Sequence, residues 1–103
     1  MVKILRQSDA AVEQIAAALA EFEKTHEYAE CMVYRYNPAS IRIRIVDSIF
    51  SGRSKSERHD YAMQYLRGLP DDVLSEISIL LCLEPGERSL LDLEFYDSTR
   101  SQL

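Results

Sequence analysis

Apolar residues recur at three- and four-residue steps near the start of the chain. Val12, Ile15, Ala16, Leu19 and Phe22 follow Ser8 and Asp9, while Glu13, Gln14, Glu21 and Lys24 fall between them. That spacing gathers the apolar positions into one stripe and predicts an amphipathic helix over about residues 9–26 with a Ser/Asp start. Two strand-like runs come next, Glu30–Tyr36 and Ile41–Val46, separated by Asn37-Pro38-Ala39-Ser40. The Asn-Pro pair initiates a turn, so the two runs predict a β-hairpin. With Tyr36 opposite Ile41, one face collects Met32, Tyr34, Tyr36, Ile41, Ile43 and Ile45. The other then carries Arg35, Arg42 and Arg44 beside Cys31, Val33 and Val46.

Beyond the polar loop Ser51-Gly52-Arg53, the run Ser54-Lys55-Ser56-Glu57 has the Ser-x-x-Glu form of a capping box and starts a second helix. Ala62, Tyr65 and Leu66 face inward on it, joined by His59 and Met63, and Gly68 supplies the left-handed position that ends it. Pro70-Asp71-Asp72 opens a short helical turn, since proline suits a first turn and carboxylates suit the positive end of the helix dipole. The nearly unbroken apolar run Ile77–Leu83 reads as a central strand buried on both faces, closed by Pro85-Gly86. Leu91, Leu93 and Phe95 alternate with Asp92, Glu94 and Tyr96, which suggests a last edge strand before a polar tail at about 97–103. The order is α-β-β-α-α-β in one α+β domain over 1–103. It is a small two-layer domain with a three-stranded mixed sheet, helices on one face and an extra C-terminal edge strand. That edge could pair within the chain or with a second copy, as a homodimer.

Length and composition agree with one self-sufficient core: 103 residues, 47% hydrophobic and 28% charged. The net charge of −5 repels phosphate backbones and argues against nucleic acid as a default partner. Cys31 and Cys82 lie singly in apolar strands, which reads as buried thiols in a reducing compartment. No apolar run reaches the length of about 18 residues that a membrane span needs, and Met1–Arg6 lacks a signal-peptide core, so a cytoplasmic protein is expected.

Catalytic and metal signatures are missing from the sequence. The soft ligands amount to Cys31, Cys82, His26 and His59 without Cys-x-x-Cys or His-x-x-x-His spacing, and no Gly-x-Ser-x-Gly or Ser/His/Asp order occurs. Asp71-Asp72 is explained as helix-start charge rather than as a general acid and base. His26, ending the first helix, suits the negative end of its dipole. The expectation is therefore no catalytic residues, no metal and no cofactor.

Several pieces carry a family resemblance: Ile43-Arg44-Ile45-Val46-Asp47-Ser48, Phe50-Ser51-Gly52, Glu57-Arg58-His59, and Leu83-Glu84-Pro85-Gly86-Glu87. Together they resemble the BolA-like family, which has a class II KH-type arrangement. The resemblance implies a non-enzymatic, regulatory partner of other proteins, monothiol glutaredoxins in particular, with which the family shares an iron–sulfur cluster. The family's cluster ligands fall here near Glu76 and in Asn37-Pro38-Ala39-Ser40. Neither place offers the thiolate or imidazole that such a cluster needs, so the implied fold comes without the cluster.

Two functions follow. The first is a protein-binding domain that engages its partner through Gly52, Arg53, Lys55, Arg58 and His59. The second is a KH-like nucleic-acid-binding module using Arg35, Arg42, Arg44, Arg53 and Lys55, although the Gly-x-x-Gly of that class is absent. Pairing of the outer arginines with Glu84, Asp92 and Glu94 would make them a charge ladder that needs no ligand.

Overall fold

The computed structural model describes residues 1–92 and residue 95. Its elements run β1 (Lys3–Leu5), α1 (Ala10–Thr25), β2 (Glu30–Asn37), β3 (Ser40–Val46), α2 (Lys55–Leu66), α3 (Asp71–Leu74) and β4 (Ile77–Leu83). A single 3-10 turn at Ser48–Phe50 links β3 to the loop before α2. Among the described residues the sheet has four strands, not three, in the order β1-β2-β3-β4. β1 is parallel to β2, β2 antiparallel to β3, and β3 parallel to β4. The molecule is thus two parallel crossovers, β1-α1-β2 and β3-α2-α3-β4, joined by the hairpin.

α1 begins where Asp9 Oδ1 accepts the Val12 amide at 3.0 Å, and its stripe of Val12, Ile15, Leu19 and Phe22 is fully buried. These side chains meet Cys31, Val33, Ile41, Ile43 and Ile45 from the sheet and Phe50, Ala62 and Leu66 from the segment beyond it. β1 is too short to show a period, since three residues hold barely one alternation. It exists because Lys3, Ile4 and Leu5 pair with Met32, Val33 and Tyr34.

The hairpin register differs from the expected one. Arg35 lies opposite Ile41, Val33 opposite Ile43 and Cys31 opposite Ile45, with a bulge between Arg35 and Asn37 that leaves Tyr36 as the extra residue. One extra residue reverses the facing of the whole strand. Cys31 and Val33 therefore join the isoleucines under the helices, with Arg35 on their side of the strand. Met32 and Tyr34 turn to the other face with Arg42, Arg44 and Val46.

The capping box forms as its sequence implies: the Glu57 amide donates to Ser54 Oγ at 3.1 Å and the Ser54 amide to Glu57 Oε1 at 2.8 Å. The end of α2 is different. Gly68 is not left-handed; the positive-φ glycines are Gly52 and Gly86, at 75° and 83°. α2 stops through a right-handed cap at Arg67 and the bond from the Leu69 amide to the Leu66 carbonyl, just where Pro70 bars the residue before it from helix.

Among the described residues β4 pairs with β3 alone, so it stands at the edge of the sheet rather than at its centre. It reads as an apolar run because both its faces are covered. Cys82 packs under the helices, while Leu81 and Leu83 join Tyr34 and Phe95 in a second small cluster on the opposite face. Of the expected C-terminal strand, Leu91 lies in a turn and Asp92 and Phe95 have helical backbone; the remainder falls outside the described residues. No helix among the described residues is long and apolar enough to cross a membrane.

Candidate functional site

The ends of β3 and β4 are tied by the Asp47 amide, which donates to the Leu83 carbonyl at 3.0 Å. From there the chain makes its 3-10 turn, capped by Asp47 Oδ1 on the Ile49 amide at 3.2 Å, and buries Phe50. Gly52 then takes the left-handed conformation that turns the chain into α2. A Cβ at Gly52 would meet no atom within 4 Å, so what the position asks of glycine is its left-handed backbone. Arg53 folds back over Tyr61, its guanidinium 5.0 Å from the ring centroid.

Arg58, in the first turns of α2, is a clamp. Its Nε donates to the Arg53 carbonyl at 3.0 Å, and its Nη1 donates to the Cys82 carbonyl at 3.2 Å and to Glu87 Oε1 at 2.6 Å. Glu87 Oε1 also accepts the Glu84 amide at 3.0 Å across the turn that Gly86 makes. That amide first, and the Arg58 guanidinium with it, hold the Glu87 carboxyl below the usual glutamate range. The loop after β4 is thereby fixed against the start of α2.

Between these two elements lies a cleft of about 530 Å³. Leu80, Leu81, Cys82 and Leu83 of β4 form its floor, and Lys55, Arg58 and His59 one wall. Glu87 to Leu91 form the other wall, where Leu90 is 87% and Leu91 47% exposed. His59 does not face inward from α2 with Ala62 and Leu66 but is exposed along the wall. Of the residues anticipated for partner binding, the structure brings Lys55, Arg58 and His59 to the cleft. Gly52 and Arg53 are not part of its lining.

The arginines anticipated for nucleic acid do not form one patch. Arg35 is on the helix side, where it pairs with Asp9 and with Glu76 at 3.1 Å and donates to the carbonyls of Asn37 and Pro38. Its guanidinium holds the Asp9 carboxyl below the usual aspartate range. Arg42 lies on the opposite face, 3.6 Å from the Tyr36 ring centroid and 3.2 Å from the Tyr34 hydroxyl. Arg44 pairs with Asp92 through two of its nitrogens, one of them at 3.3 Å. Asp92 thus neutralises an outer arginine, though from helical backbone rather than from a strand.

A polar network between α1 and α2 went unread in the sequence. His26 stacks on Phe22 with ring centroids 4.0 Å apart, and its Nδ1 lies 2.8 Å from the Phe22 carbonyl. Nδ1 also lies 2.9 Å from Thr25 Oγ1, and Nε2 lies 2.8 Å from the Tyr61 hydroxyl, so both ring nitrogens are within hydrogen-bond distance of a partner. The Tyr65 hydroxyl meets Thr25 Oγ1 at 3.1 Å, and Thr25 Oγ1 donates to the same Phe22 carbonyl at 3.1 Å. Burial raises the Tyr61 hydroxyl above the usual tyrosine range. The signal available was the pairing of Phe22 with His26 and of Tyr61 with Tyr65 at four-residue spacing. The network closes the end of α1 and fastens it to α2.

Cys31 and Cys82 are buried free thiols, and burial pushes both up to about 12, with Glu23 adding to the effect at Cys31. Neither supplies a thiolate near neutral pH. Asp47 is buried and its Oδ2 has no hydrogen-bond partner. Among the described residues no three His, Cys, Asp or Glu side chains converge as a metal site. No family model, curated protein or solved structure matches the chain.

Proposed function

We propose that this chain is a non-catalytic binding domain that docks another protein in the cleft between the first turns of α2 and the end of β4. The observation that carries this reading is the character of the cleft. A leucine-rich floor and two exposed leucines sit beside Lys55, Arg58 and Arg88, with Glu87 the one carboxylate among the described lining residues, in a chain whose net charge is −5. Exposed apolar surface rimmed by charge is typical of protein docking sites. The resemblance of Phe50-Ser51-Gly52 and Arg58-His59 to the BolA-like family supports the same reading, since that family binds other proteins and its regulatory role needs no catalytic group here.

A KH-like nucleic-acid function is disfavoured by the pairing of Arg35 and Arg44 with carboxylates and by their placement on opposite faces. The test is a side-by-side selection of random peptides and of single-stranded RNA on the full chain, followed by affinities across a salt series. Selected peptides are expected to bind with a shallow salt dependence and to lose about tenfold or more in the double variant Lys55→Glu, Arg88→Glu. An RNA ligand whose affinity falls steeply with salt, with no peptide enriched, would replace this reading by the nucleic-acid one.

A further inference from the structure

The floor of the cleft is the last strand of the sheet, and its backbone shows which way its hydrogen-bonding groups point. Leu83 presents its carbonyl to β3, where the Asp47 amide donates to it at 3.0 Å. Cys82, one residue earlier, presents its carbonyl to the opposite side, where Arg58 Nη1 reaches it at 3.2 Å. Leu80, Leu81 and Cys82 pair in unbroken register with Ile43, Arg44 and Ile45, so the period of two turns the Leu80 amide and carbonyl outward with those of Cys82. Arg58 therefore seals the C-terminal end of the edge and leaves the stretch around Leu80 as the open one among the described residues. An apolar strand edge with a half-buried leucine at its centre is the kind of template that natural proteins either cover or use.

We propose that the cleft works by strand addition: an extended, acidic segment of the partner protein pairs with the outer edge of β4 as a fifth strand. This rests on the protein-binding reading above and specifies its mode. Main-chain bonds to Leu80 and to the Cys82 amide supply register, and alternate side chains of the added strand fall to the two walls. On one wall they meet Lys55 and His59, on the other Arg88 and the exposed Leu90. Carboxylates alternating with apolar residues satisfy both. A second copy of this chain fits less well, because an isologous β4–β4 seam would bring Lys55 and Arg88 of both protomers to the same line, like charge against like.

The test uses the peptides selected on the full chain, each remade with one backbone amide N-methylated at alternate positions, together with the Lys55→Glu, Arg88→Glu variant. Strand addition requires that the enriched peptides alternate Asp or Glu with apolar residues. N-methylation in one phase should then weaken binding by about tenfold or more, and in the other phase leave it unchanged. Peptides that bind the cleft, lose affinity in the charge-reversed variant, yet tolerate methylation in both phases would overturn strand addition while leaving the protein-binding reading in place. Enrichment of no peptide, with either RNA binding or a concentration-dependent dimer in sedimentation, would overturn both.

Discussion

Truncating Phe22 to alanine is expected to lower the free energy of unfolding by about 3–5 kcal/mol, the range for removing a buried phenylalanine. The ring is fully buried where three segments meet. It stacks on His26 and packs against Phe50, Tyr61 and Tyr65, with centroid separations of 6.3, 6.1 and 5.0 Å for the last three. Its loss leaves a cavity between α1, the 3-10 turn and α2, and unseats the imidazole that links Phe22 to Tyr61. Small domains are held by about 5–15 kcal/mol, so the variant should unfold at far lower urea than the parent. A midpoint equivalent to less than about 1 kcal/mol of destabilisation would mean that the two helices are not joined through this ring.

Replacing Arg44 with methionine is expected to be the next most damaging change, at about 2–4 kcal/mol, because it strands the Asp92 carboxylate; the range is set below that of a fully buried pair. The two side chains are 17% and 12% exposed, so solvent screens the pair only in part. The double variant Arg44→Met, Asp92→Leu removes both charges and is expected to recover to within about 1 kcal/mol of the parent. Equal losses in the single and double variants, measured by urea unfolding, would show that the pair does not act as a unit. The outcome also bears on function, since an arginine committed to Asp92 is not free to meet a phosphate.

Much of the fold was legible where local chemistry and long-range packing agree. The α1 stripe, the Ser54–Glu57 box, the Pro70-Asp71-Asp72 restart and the apolar run of β4 all stand as their residues imply. The hairpin facing was not legible, because both phases of β2 are compatible with burial: Cys31 and Val33 in one, Met32 and Tyr34 in the other. The bulge at Tyr36 decides between them, and a bulge leaves no mark in an alternating pattern. Arg35 can sit on the helix side because its long side chain reaches Asp9 and Glu76 at the margin. β4 looked central because an edge strand covered on both faces has the same composition as an interior one.

The candidate site was half legible for the same reason. Lys55, Arg58 and His59 could be placed near the start of a helix from the capping box at Ser54 and Glu57. The far wall could not be recognised while Leu91 and Asp92 read as strand. The clamp by Arg58 joins residues 24 and 29 positions apart, a separation that no local pattern reports.

The most direct check on the cleft as the docking site is an amide chemical-shift map of the isotope-labelled full chain with a selected peptide bound. Docking as described should move the signals of Lys55–His59, Leu80–Leu83 and Arg88–Leu91 together and leave those at the α2–α3 junction, Arg67–Leu69, in place. Shifts centred on Arg67–Leu69 or on the α1 surface, with the cleft unmoved, would place binding elsewhere and contradict the central claim.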